Sequence, residues 1–218
     1  MLHSLRVKSV STVYTIGHST RTLDELIAAL QAHGITTLVD IRAFPMSRRM
    51  PHFNRESLEI ELQKRAIDYV WMKELGGRRK KIRADSPNTG LRNDSFRNYA
   101  DYMLTPEFAQ AIERLLAITS ATISANDGAE DGVPGGAFHS VPAPPDSTPE
   151  AAFGHIAYMC AERVYFQCHR MLVSDYLTAH GHTVLHIEDD KRSPRPHKLM
   201  AEAHLVDGQL LYNAQQLF

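Results

Sequence analysis

Val13-Tyr-Thr-Ile-Gly17 is a short apolar, β-branched run that ends in glycine, the pattern of a buried strand. A helix signal follows at once. Thr22 is a candidate N-cap, and Glu25 three residues on completes a capping box. Leu23, Leu26, Ile27 and Leu30 then share one helical face, and Gly34 supplies the stop. Thr36-Thr-Leu-Val-Asp-Ile-Arg42 is a second strand. Strand, helix and strand in so short a span make a βαβ unit, which is parallel and right-handed in nearly all cases.

The later segments extend this unit. Ser57 to Ala66 reads as a helix, Asp68 to Met72 as a strand, and Arg97 to Leu104 as a helix. Thr105 caps a further helix, with Pro106 in its first turn. From Thr119 to Pro149, Gly, Pro, Ser and Asp dominate and no apolar period survives, so an exposed insertion at about 119–150 is expected. His155 to Glu162 is a strand that rejoins the sheet. Met171 to Ala179 is an amphipathic helix, and Thr183 to Ile187 a last core strand. Lys191 to Lys198 is a basic, proline-broken loop. Asp207-Gly208 between apolar arms predicts a β-hairpin. The expected architecture is a single α/β domain: three layers, α/β/α, around a mainly parallel, Rossmann-like sheet, with a C-terminal β-hairpin.

Composition narrows the function classes. Lys and Arg number 24 against 25 Asp and Glu, so bulk attraction to nucleic acid or an anionic membrane is not indicated, although basic loops allow a local contact. Two cysteines in 218 residues do not make a disulfide scaffold. No stretch is long and apolar enough to span a bilayer, and the first residues lack a signal-peptide core. The expectation is a cytoplasmic protein with no membrane partner.

Cys168-His169-Arg170 stands where a loop hands over to a helix. Unpaired N–H groups and the helix dipole favour a thiolate there, and neighbouring cations favour it further. Cys168 is the candidate nucleophile or redox centre, with His169 or His18 as base and Glu162 or Asp40 to orient it. The competing reading is a packed, inert cysteine. Arg170 and Arg42 together are candidates to clamp an anion, with Gly17, Ser19 and Ser47 as further donors. Asp40 and Arg42 alternate with Ile41 and so point to one side; they equally suit a structural ion pair. Cys160, inside a strand, reads as core, with a redox pairing to Cys168 as the alternative. His18, Cys160, Cys168 and His169 include zinc-type donors, but none shows zinc-finger spacing, so no metal ligand is assigned. No cofactor is identified. In an open parallel sheet the carboxyl ends of the strands share one edge, where ligands bind, and these residues follow those ends.

Tyr14-Thr-Ile-Gly-His-Ser19, Asp40-Ile-Arg42 with Pro45 and Ser47, Leu75-Gly-Gly77, Phe96 to Met103, Cys160-Ala-Glu162 and Cys168-His-Arg170 together resemble the domain of unknown function 488 family. The resemblance implies a single α/β domain with these motifs at the sheet's carboxyl edge, and it implies no activity. Two functional readings follow. One is an enzyme acting on a small anionic substrate, a nucleotide or modified base, at the Cys-His-Arg site. The other is a nucleotide or nucleic-acid binding module that uses Arg78 to Arg83, Arg48, Arg49, Lys191, Arg192 and Arg195. Trp71, Tyr69 and Phe53 are candidates to stack a base, against the simpler use of core packing.

Overall fold

The protein is described by a computed structural model over residues 10–127 and 154–213. Six strands make one sheet in the order β3-β2-β4-β1-β5-β6: β1 (Thr12–Gly17), β2 (Ile35–Asp40), β3 (Asp68–Trp71), β4 (His155–Cys160), β5 (Thr183–His186) and β6 (Arg195–Pro196). The first five are parallel, and β6 runs antiparallel beside β5. The βαβ reading holds for direction, but β4 lies between β1 and β2. A strand entering late in the sequence thus occupies the sheet centre.

The period-two alternation of β4 shows why two helical layers are needed. Ile156, Tyr158 and Cys160 enter one buried cluster with the helices α3 (Asp94–Met103), α4 (Pro106–Asp127) and α5 (Arg170–Ala179). Ala157 and Met159 face the other way, into a cluster with α1 (Leu23–Ala32) and α2 (Arg55–Gln63). A sheet buried on both faces reads as near-continuous apolar strands, and β4 does. The Thr22–Glu25 capping box forms in both directions, and Gly34 ends α1 at φ +63. The hairpin of β7 (Ala203–Val206) and β8 (Gln209–Tyr212) turns on Asp207 and Gly208, both at positive φ as a type I′ turn requires.

Two expectations are corrected. Residues 119–127 continue α4 as helix, with Thr119 buried and its hydroxyl bonded to the Leu115 carbonyl. The rest of the expected insertion lies outside the described residues. The basic loop after β5 is not wholly irregular: Arg195 and Pro196 pair with His186 and Leu185. Among the described residues no helix is long and apolar enough to cross a membrane.

Candidate functional site

The carboxyl ends of β1, β2 and β4 lie side by side. The N–H groups of His18 and Ser19 donate to the Cys160 and Ala161 carbonyls, and that of Ile41 donates to Met159. Each strand therefore hands its last residues to one edge. A cavity of about 450 Å³ opens there, and its lining includes Arg42, Phe44, Gly77, Phe96, Cys160 and Cys168. That volume is in the range of small-ligand sites.

Cys160 ends β4. A short 3₁₀ turn, Tyr165–Gln167, then carries the chain back so that Cys168, in extended backbone, sits just before α5. The two cysteines are free, and both line the cavity. His169 Nδ1 lies 3.5 Å from Cys168 Sγ and 3.8 Å from Cys160 Sγ. The environment splits the two thiols. A hydrogen bond from Cys160, then the hydrogen bond and charge of His169 and the charge of Arg170, outweigh burial and pull Cys168 well below its ordinary value. Cys160, as donor to Cys168 and itself buried, is pushed well above. The two neighbouring thiols are thus pushed in opposite directions, Cys168 down and Cys160 up. His169 Nε2 is buried and has no hydrogen-bond partner among the described residues.

Gly77 explains the Leu-Gly-Gly motif. A Cβ at this position would stand 2.4 Å from His169 Nδ1, so the imidazole occupies the space a side chain would need. Gly77→Ala is expected to cost about 1–3 kcal/mol through overpacking and to move the imidazole off the sulfurs. Urea unfolding, with the Cys168 alkylation rate at neutral pH, checks both: stability and rate should fall together.

His18, Asp40 and Arg42 form a second, linked cluster. Asp40 is fully buried; it accepts from the Arg42 guanidinium, the Arg42 amide and the Tyr69 hydroxyl. Burial alone would lower Arg42, but the hydrogen bonds and charge of Asp40 outweigh it and hold the guanidinium above its ordinary value. Arg42 Nη1 contacts His18 Nε2 at 3.2 Å, while His18 Nδ1 meets the Ser19 carbonyl at 3.0 Å. A guanidinium only donates, so His18 Nε2 accepts and His18 is neutral. Burial, with the nearby charge of Arg42, lowers His18 to about 4.

The geometry redistributes the candidate roles. Cys168 and His169 are in contact. Glu162 lines the cavity, but its side chain is exposed and its carbonyl accepts from Arg170. His18 and Asp40 act on Arg42 and do not orient His169. Arg170 is 1% exposed and bonds Thr15, Glu162 and Arg163, away from Arg42. The expected clamp of Arg42 with Arg170 is therefore not formed. The amides of His18 and Ser19 donate to the Cys160 and Ala161 carbonyls and so are not free to cradle an anion. At Gly17 a Cβ would fall 1.9 Å from the Glu162 carbonyl, and this close approach accounts for the glycine. The Ser47 hydroxyl accepts from the Met50 amide and closes its own loop. Tyr69 and Trp71 serve Asp40 and the Arg42 carbonyl through their polar tips, and Phe53 is core beneath His18.

The basic run also divides. The Arg79 guanidinium lies over Tyr102 and donates to the Gly76 carbonyl, a structural use. Arg78 is exposed, stands over Phe44 and lines the cavity. Phe44 and Phe96 line the cavity although sequence reasoning assigned them no role, and Arg78, expected to serve only with the basic run, lines it too. The signal for Phe96 was its place in a recognised motif. Cys160, Cys168 and His169 also bring three donor atoms within 4.8 Å of one another, a set suited to a zinc-type ion. Spacing rules missed this because the turn at 165–167 supplies the proximity.

Residues 22–125 match the family model described as Domain of unknown function DUF488. Over this span the chain is similar to the DUF488 family. The match takes in Asp40, Arg42, Gly77 and Phe96 and stops before Cys160 and Cys168-His169-Arg170, so the matched span supplies the cavity's cationic and aromatic walls, not its thiols. No curated protein and no solved structure matches the chain.

Proposed function

We propose that the protein is a thiol-dependent enzyme acting on a small anionic substrate with a flat or apolar part, of nucleotide or base-like character. The observation that carries this reading is the cluster of two cysteine sulfurs and an imidazole on the wall of a cavity with cationic and aromatic neighbours. Cys168 Sγ forms a bond to an electrophilic centre of the substrate. The leaving group departs with its electron pair and takes a proton from His169. Arg42, held by Asp40, and Arg78 at the mouth attract the negative charge. Phe44, Met46 and Phe96 face the apolar part.

The test compares iodoacetate with iodoacetamide. Free thiolates favour the neutral reagent, whereas a cationic cavity favours the anionic one. Cys168 should react faster with iodoacetate, and Arg78→Gln should reduce that preference about tenfold. A ratio equal to that of a free thiol would overturn the anionic-substrate reading.

A second reading has one observation in its favour: the same three donors, all on residues that line the cavity, lie close enough together to hold a metal ion. Elemental analysis of the purified protein tests it. A stoichiometric metal lost from Cys160→Ser supports the metal site; no bound metal rejects it.

A further inference from the structure

A second cavity, of about 330 Å³, lies at the same sheet edge, beyond the loop that follows β4. Five arginines line it, Arg21, Arg163, Arg170, Arg192 and Arg195, with Glu188 as the acid among them. Glu188 pairs with both Arg192 and Arg195, and the Arg21 guanidinium donates to the Gly17 and Glu188 carbonyls. The positive charge therefore exceeds the acid that answers it. Burial, and the neighbouring charges of Arg163 and Arg170, push Arg21 below its ordinary value, as uncompensated like charges do.

Two buried polar atoms on lining residues lack any hydrogen-bond partner among the described residues: Arg170 Nε and His186 Nδ1. Arg170 is 1% exposed and His186 3%. A relay fixes His186. Asp175 Oδ1 lies 2.9 Å from His197 Nε2, and His197 Nδ1 lies 2.9 Å from His186 Nε2. The Tyr212 hydroxyl and the Met200 amide also donate to Asp175, and Tyr165 stacks on the His186 ring at 3.7 Å. With the carboxylate accepting from His197, and His197 from His186, His186 Nδ1 is left as an acceptor. Two lining residues thus carry buried polar atoms that the protein leaves unmet, and with the surplus of guanidinium groups the lining suits a ligand rich in anionic oxygens.

We infer that this cavity binds a phosphate group, as inorganic phosphate or the monoester end of a small molecule. The site is separate from the cysteine cavity and does not depend on the function proposed there.

Isothermal titration of the full chain with inorganic phosphate, at pH 6.5 and constant ionic strength in chloride, tests the inference. One phosphate should bind, and the Arg163→Gln/Arg195→Gln double variant should weaken it by about tenfold or more. Both positions are exposed, so the variant is expected to fold; its circular dichroism confirms that before titration. Arg78→Gln, in the other cavity, should leave the affinity unchanged. No binding by the wild type, an unchanged affinity in the double variant, or a loss caused by Arg78→Gln would each overturn the assignment. So would binding of an unphosphorylated single-stranded oligonucleotide that depends on Arg163 and Arg195 while inorganic phosphate fails to bind, since the surface would then serve a nucleic-acid backbone.

Discussion

Asp40→Ala is expected to destabilise the protein by about 3–5 kcal/mol, the cost of leaving a buried charge without its partner. Arg42 is 6% exposed and Asp40 is fully buried, so water cannot replace the missing carboxylate. The Tyr69 hydroxyl loses its acceptor in the same step. The effect reaches the cavity, because Arg42 lines it and its direction is set by Asp40 on one side and the Phe53 carbonyl on the other. The variant should therefore also lose part of the preference of Cys168 for iodoacetate. Urea unfolding measures the first effect and paired alkylation rates the second. A loss below about 1 kcal/mol, the range of an exposed pair, would mean that Arg42 is solvated and its role in the site is wrong.

Acid should destabilise the fold well before its carboxylates titrate. His18 is lowered to about 4 by burial and Arg42, and His186 to about 3 by burial, His197, Arg170 and Arg195. In the unfolded chain both take up protons near pH 6.5. Below that pH the unfolded state binds more protons than the folded one, so stability falls as pH falls, until the folded pKa values are reached. Between pH 7.5 and 5 the two histidines together should remove about 3–4 kcal/mol. His18→Gln, which keeps an acceptor for Arg42, should remove about half of that loss. Unfolding free energies at the two pH values decide it; equal values would mean that these imidazoles are solvated.

Local signals in the sequence carried most of the fold. Thr22 and Glu25 marked a helix start because capping is a contact between residues three apart, and Asp207-Gly208 marked a turn because few residues tolerate positive φ. The place of β4 at the sheet centre was not legible, since strand order is a long-range property and its near-continuous apolar pattern suits any interior position. The end of α4 was misread because residues 119–127 have a composition common in loops yet keep helical hydrogen bonding. At the site, the alternation of Asp40 and Arg42 foretold their contact. The adjacency of Cys160 and Cys168 did not show, because it depends on a three-residue turn rather than on a spacing rule. Arg170 looked like an anion ligand of the cysteine site from its neighbours in sequence; its helix instead turns it toward Thr15 and the Glu162 carbonyl.

The account rests on Cys168 being an ionised thiol held by Cys160 and His169 inside a ligand-sized cavity. The most direct test is the rate of alkylation by iodoacetamide from pH 6 to 9.5, with the modified residue identified by mass spectrometry and the protein treated with chelator beforehand. The account predicts modification of Cys168 alone, at a rate that stays level across this range, with Cys160 unlabelled. A rate that climbs with a midpoint near 8.5, as for an ordinary thiol, would contradict it, as would equal labelling of both cysteines.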